Sequence, residues 1–175
     1  DANFILRHEF EQARVTGSVF YQDVDDYIFS FERLDQGVKR TSFMNIERVR
    51  QTGAELIVET YDWLAAGLNV DFNVAYIDDK ILKNSLLPAS EGKQFPRIPY
   101  WRINSQARYQ LAQGWRLSGG VRYASRPNTN LDATQRGDTF GYASEQFIAD
   151  TRLSWQANES TELSVGIDNI NNDQA

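Results

Sequence analysis

The sequence predicts an all-β fold, an antiparallel up-and-down transmembrane β-barrel with about eight strands present. Three observations carry this reading. Hydrophobicity alternates with a period of two along most of the chain, the signature of strands with one apolar and one polar face. Successive stretches match apolar against apolar when folded back on each other, a match that a one-residue slip would destroy. Short and long connections alternate, so one end of the sheet collects every short turn, as in outer-membrane barrels.

The clearest element is residues 99–126, PYWRINSQARYQLAQGWRLSGGVRYASR. Ile103, Ser105, Ala107, Tyr109 and Leu111 share a face, with Arg102, Asn104, Gln106, Arg108 and Gln110 between them. After a break at 112–114, Trp115, Leu117, Gly119, Val121 and Tyr123 alternate with Arg116, Ser118, Gly120 and Arg122. Facing Leu111 with Trp115 brings Tyr109 to Leu117, Ala107 to Gly119, Ser105 to Val121 and Ile103 to Tyr123. Each arm has about ten residues, enough for a tilted strand to cross a bilayer.

The other elements follow in order. Residues 4–10 form a strand, and a turn at 11–14 returns the chain so that Val15, Gly17, Val19 and Tyr21 face Phe10, His8, Leu6 and Phe4. This strand runs on through Asp25-Asp26 to Phe31, and a loop at 35–40 follows. Residues 41–61 form the next strand. A turn at 62–66 sets Thr60, Val58, Leu56 and Ala54 against Leu68, Val70, Phe72 and Val74. Residues 78–98 and 126–143 read as long loops, well beyond the usual ~4–6 residues. The last hairpin runs 147–157 and 161–171, with Trp155 on Leu163, Leu153 on Val165 and Thr151 on Ile167. No helix is predicted.

The totals narrow the function. A net charge of −6 and a pI near 4.8 disfavour a nucleic-acid partner, which calls for a basic footprint. There is no Cys, and His8 is the only His, so neither thiolate chemistry nor a His-based metal or Ser–His site has a basis. No Gly-rich loop precedes a helix, no carboxylate pair stands out, and nothing calls for a cofactor. The chain reads as a non-enzyme. Aromatics gather at strand ends: Phe10, Tyr61, Trp63, Tyr109, Trp115 and Trp155 by the short turns, and Tyr76, Tyr100, Trp101 and Tyr123 by the long loops. Two such girdles suit the two membrane–water interfaces. A soluble glycan-binding β-sandwich, with the aromatics as core, and a self-contained eight-stranded barrel with a structural or adhesive role stay open.

Residues 45–55, NIERVRQTGAE, resemble the "Asn … Gly-x-Glu" strand of TonB-dependent outer-membrane receptors. That family follows it with a short turn, an "N-x-x-Y" type strand and a Pro-containing loop, much as 68–76 and 95–99 do here. Gly120-Val121-Arg122-Tyr123 is similar to its "G-x-x-Y" strand, and 165–172, VGIDNINN, to its near-terminal "v-x-N-[LI]-x-N" strand. The resemblance implies that residues 1–175 are part of a barrel of about 22 strands, the last third of a receptor whose plug, TonB box and closing strand lie outside this sequence. It further implies a multi-pass place in a Gram-negative outer membrane, among lipid and lipopolysaccharide. The cargo would be a scarce solute, most often a ferric siderophore, captured by outer loops and moved with energy transmitted through TonB.

On that reading the polar rows line the lumen: Glu55, Glu59, Asp71, Arg102, Arg108, Arg116, Arg122, Asp150, Arg152 and Asp168. Taken singly, each reads first as a solvated charge on the wet side of a barrel. Arg97, Tyr100, Trp101, Arg126 and Arg136 are the ligand candidates of the outer loops, able to stack on or pair with an anionic chelate. Tyr100 and Trp101 read first as girdle residues. Asp25-Asp26 and Asp78-Asp79 lack the spacing of a dedicated cation loop and read as strand-end carboxylates.

Overall fold

In the computed structural model, residues 1–35, 38–134 and 144–173 are described, 31–35 and 38–39 by backbone alone. Eight strands form one antiparallel sheet in chain order: β1 (Ala2–Glu9), β2 (Ala13–Asp35), β3 (Val38–Thr60), β4 (Leu68–Lys83), β5 (Trp101–Gln110), β6 (Trp115–Ala124), β7 (Gln146–Asn158) and β8 (Thr161–Ile167). The helical content among the described residues is two single 3₁₀ turns, Pro88–Ser90 and Ala112–Gly114. The sheet is open, with β1 and β8 as its two edges. It does not fold into a second layer, so the apolar rows are not buried against each other as a sandwich requires. Leu117 is 45% exposed and Val165 68%.

Two hairpins have the register that parity predicts. Tyr109 pairs with Leu117 and Ile103 with Tyr123 across β5–β6, and Trp155 pairs with Leu163 across β7–β8. Gln113 and Gly114, with φ of 59° and 81°, make the left-handed turn that sets the first of these, and Leu111 N donates to Trp115 O at 2.8 Å. Two other hairpins keep the predicted face but slide by two residues. Val15 faces His8, not Phe10, because the chain turns within residues 11–12, with Phe10 N donating to Ala13 O at 2.7 Å. Val58 faces Phe72, not Val70. Here the turn is longer than predicted: Gly67 N donates to Asp62 Oδ1 at 2.6 Å and Asp62 N to Asn69 Oδ1 at 3.1 Å. Thr60 therefore meets Val70, its hydroxyl donating to the Val70 carbonyl at 3.0 Å.

The long-loop end departs furthest from the prediction. The loop at 35–40 is mostly strand, since β2 reaches Asp35 and β3 starts at Val38. β4 runs seven residues beyond Tyr76, through what reads as loop. β2 and β3 have 23 residues each against 16 in β4 and ten in β5, so the β2–β3 ribbon is longer than β4 by about 23 Å and than β5 by about 43 Å at ~3.3 Å per residue. A membrane-crossing sheet has no need of that length, and the excess builds a separate core. Phe29, Ile46, Val49, Ile81, Phe95 and Leu131 bury one another there, with Met44, Leu87 and Ile98 packed against them. Val49 and Ile81 sit on the polar-face parity, whereas Phe29 and Ile46 do not. The faces exchange at the irregularity between them, where Asp26 takes φ 57° and the β3–β4 register shifts at Arg48/Val49.

Both long loops join this core. Residues 92–95 return beside β4: Gly92 N donates to Ile81 O, Ile81 N to Lys93 O and Phe95 N to Asp79 O, at 2.6–2.9 Å. Asn84 and Ser90 are fully buried and satisfied by each other, Asn84 Nδ2 donating to Ser90 Oγ at 2.9 Å. Phe95 meets the Tyr27 and Phe29 rings edge-on, at 4.8 and 5.5 Å. The two loops are tied by Arg97 N donating to Asn128 O at 2.7 Å.

Candidate functional site

Paired residues of an antiparallel ladder share a face. By that rule Glu55, Glu59, Asp71, Arg102, Arg108, Arg116, Arg122, Asp150 and Arg152 all stand on the polar face of β3–β7. Asp168, just past the end of β8, lines the same hollow as Arg116, Asp150 and Arg152. Charges of opposite sign meet across neighbouring strands. Arg108 pairs with Asp71, Arg122 Nη2 with Asp150 Oδ2 at 2.8 Å, and Arg116 Nη2 with Glu162 Oε2 at 2.7 Å. Glu55 accepts a hydrogen bond from Asn73 Nδ2 at 2.7 Å. Glu59 lies 3.4 Å from Arg14, which also reaches Glu9 at 3.0 Å. Arg14 and Glu162 are partners that the sequence reading passes over, although the same parity places both in the polar row with Asn73.

The VGIDNINN stretch has a structural task at this wall. β8 ends at Ile167, earlier than predicted, because side chains take over the ladder beyond it. Asn171 accepts from Ala149 N at 2.9 Å and donates to Phe147 O, as the backbone of a paired strand would. Asp173 accepts from Phe147 N. Asn169, at φ 54°, donates its backbone N–H to Asp150 Oδ1 at 2.8 Å. Both Asp150 oxygens are thereby engaged, one by this segment and one by Arg122.

At the long-loop end a cavity of about 390 Å³ opens on the polar face, lined among others by Arg97, Arg102, Asn104, Arg122 and Ser125. Arg97 enters from the loop at φ 65°, a left-handed conformation uncommon for a non-glycine residue. Arg126 follows Ser125 and is exposed. Tyr100 and Trp101 are placed elsewhere, packing on Tyr76 with ring centroids 6.1 and 4.9 Å apart. Trp101 pairs with Tyr76 on the apolar face. At the short-turn end Trp115 stacks on Trp155 at 5.8 Å. Arg136 lies outside the described residues.

The doubled aspartates are engaged by protein groups. Asp26 accepts from Asn45 and Asp25 lies 4.0 Å from Arg48. Asp78 lies 3.8 Å from Lys80. Asp79, beyond the Tyr76 girdle, is 5% exposed and accepts from Gln51 at 3.3 Å, while its Oδ1 has no partner. Burial, reinforced by neighbouring Asp78, outweighs the Gln51 bond and pushes its carboxyl up to about 6. Among the described residues no group of His, Asp or Glu is arranged to hold a metal.

A family model described as TonB dependent receptor-like, beta-barrel, matches residues 5–170. No curated protein matches the chain. Solved structures similar to it include the siderophore receptor PiuA from Acinetobacter baumannii, at TM-score 0.74 and 14% identity over 98% of this chain and 24% of that one. The ferric yersiniabactin uptake receptor FyuA from Yersinia pestis matches at TM-score 0.74 and 22% identity, again over 98% and 24%. The copper transporter OprC matches at TM-score 0.72 and 19% identity over 96% and 24%. The chain thus spans about a quarter of the length of these structures. With an open sheet, an exposed apolar face, an ion-paired polar face and a family match over nearly its whole length, the chain belongs to the TonB-dependent receptor β-barrel family.

Proposed function

We propose that this chain is part of the wall of an outer-membrane receptor that takes up a scarce solute, with a ferric siderophore as the cargo class. The reading rests on one observation: an open antiparallel sheet of this family that turns apolar side chains outward on one face and ion pairs on the other. The apolar face meets lipid and, at its outer rim, lipopolysaccharide. The polar face lines the lumen of a larger barrel of about 22 strands and packs against a plug domain, which TonB rearranges to admit cargo. The loops around Phe95 and Leu131 stand on the outer side. Several similar structures are of siderophore receptors, one in complex with enterobactin, which supports a ferric chelate as cargo. The likeness to a copper transporter makes copper the first control.

The test is uptake by cells carrying the complete receptor in a strain without its own siderophore receptors. Expected is accumulation of iron from at least one ferric chelate under iron limitation, abolished by deleting TonB, with the protein in the outer-membrane fraction. Iron entry that persists without TonB, or a receptor found outside that fraction, overturns the proposal.

A further inference from the structure

Three guanidinium groups, Arg97, Arg102 and Arg122, line one cavity, while the carboxylate at its rim, Glu145, is engaged by the hydroxyl of Tyr123. This concentration of positive charge occurs in a chain whose net charge is −6. Among the described residues only Arg122 of the three has an acidic ion-pair partner. Its Asp150 is engaged on both oxygens, by Arg122 and by Asn169 N, and its ion pair is with Arg122 rather than with Arg97 or Arg102. Elsewhere on this face Arg108 and Arg116 each face a carboxylate across the strands. Arg97 and Arg102 thus add two like charges beside an already paired Arg122; like charges repel each other, and guanidinium forks are built to take oxyanions two bonds at a time.

Arg97 is also held in place. It adopts a left-handed backbone, φ 65°, that is strained in a non-glycine residue. The conformation is held by Phe95, buried two residues before it, and by the bond from Arg97 N to Asn128 O. Strain maintained by surrounding structure is characteristic of binding positions. At about 390 Å³ the cavity is at the small end for ligand pockets, room for one arm of a chelate rather than the whole.

We infer that this cavity is an oxyanion site at the outer mouth of the wall, and that the cargo is a chelate presenting ionised oxygens, of carboxylate or catecholate type, and not an uncharged hydroxamate complex. The inference rests on the uptake reading above and narrows its substrate class.

The test uses the complete purified receptor and three probes: ferric citrate, an anionic ferric tris-catecholate and an uncharged ferric trihydroxamate. Binding is followed by quenching of tryptophan fluorescence. At least one anionic probe should bind more tightly than the trihydroxamate and weaken as salt rises from 50 to 500 mM. R97Q and R102Q should each weaken it roughly tenfold to a hundredfold, the scale of losing a charge-assisted fork. R102K, keeping charge but not the fork, should fall between, and heat-modifiable gel mobility reports that each variant is folded. Equal binding of all three probes by the wild type and both glutamine variants overturns the inference while leaving TonB-dependent uptake intact. So does a loss of thermal stability in the variants without any loss of anion binding, which would assign the arginines to a carboxylate elsewhere in the receptor. Anion binding as expected, with no TonB-dependent uptake, would instead overturn the transport reading and leave the site standing.

Discussion

At the end of the sheet with the short turns, hairpins close through backbone and side-chain caps: Phe10 N on Ala13 O, Gly67 N on Asp62, Leu111 N on Trp115 O. Among the described residues no apolar core side chain is buried there, and the buried core residues all lie at the opposite end, in one cluster from β2, β3, β4 and both long loops. The strands between are long and regular, with their apolar rows exposed. On the proposed reading lipid completes the environment of those rows, so the wall needs correct register more than an internal core. The long-loop end then stands in water and has to build its own core, as any small soluble domain does.

The largest expected effect separates these two regimes. Phe95→Ala removes a buried ring that touches Tyr27 and Phe29 and should cost about 3–5 kcal/mol locally. Amide hydrogen exchange should rise through 84–100 and 125–134 together, since the loops share the core, while β5–β8 stay protected. Leu117→Ala, on the exposed apolar face, should leave exchange in both loops unchanged. Opening of only one loop after Phe95→Ala would show that the two are not one unit.

The next effect tests the wall. A Cβ on Gly53 would sit 2.4 Å from the Phe20 ring and 2.4 Å from the Tyr76 carbonyl. Gly53→Ala should therefore destabilise the receptor by about 1–3 kcal/mol, the range for overpacking, read as a lower unfolding temperature in detergent. Phe20→Leu should not restore it, because the backbone carbonyl cannot move away. This glycine shows what was legible in the chain. The Gly-x-Glu pattern carries the family resemblance, and parity places Leu117 on Tyr109 and Trp155 on Leu163 as found. Parity is blind to shifts of two, however, and so the hairpins at 10–13 and 61–69 slid. Their registers depend on turn bonds such as Asp62 to Gly67, which the period of two does not encode. The outer core was unreadable for a related reason. Phe95 and Leu131 sit in segments without periodicity, and the faces exchange near Asp26, so no single alternation runs through the site.

The same argument covers Asp79. Its carboxyl, pushed up to about 6 by burial, has an ordinary value near 3.8 when unfolded. Between roughly pH 4 and 6 the native state binds the proton more tightly than the unfolded one, so stability falls as pH rises through this window. Above it the cost stays constant, on the order of 3 kcal/mol for a shift of this size. Asp79→Asn should remove that cost at pH 7, slowing exchange in 84–100 after correction for intrinsic rates, and change little at pH 4. The arginine cavity was half legible. Arg97, Arg102 and Arg122 were each singled out, but only the fold brings the loop arginine to the two strand arginines.

The smallest effect belongs to the polar face near the short turns. Arg116 and Glu162 meet at 2.7 Å across β6, β7 and β8, with side chains still 43% and 37% exposed. A pair that keeps this much solvent gains little, because water screens the attraction and two long side chains lose freedom. A double-mutant cycle with Arg116→Gln and Glu162→Gln in the complete receptor should give a coupling of about 0.2–1 kcal/mol in 0.1 M salt. The coupling should shrink toward zero at 1 M, where the screening length falls to about 3 Å. A coupling above ~2 kcal/mol that ignores salt would mean a dry environment. Another part of the receptor would then cover the wall at the short-turn end, and water-free packing would not be confined to the outer core.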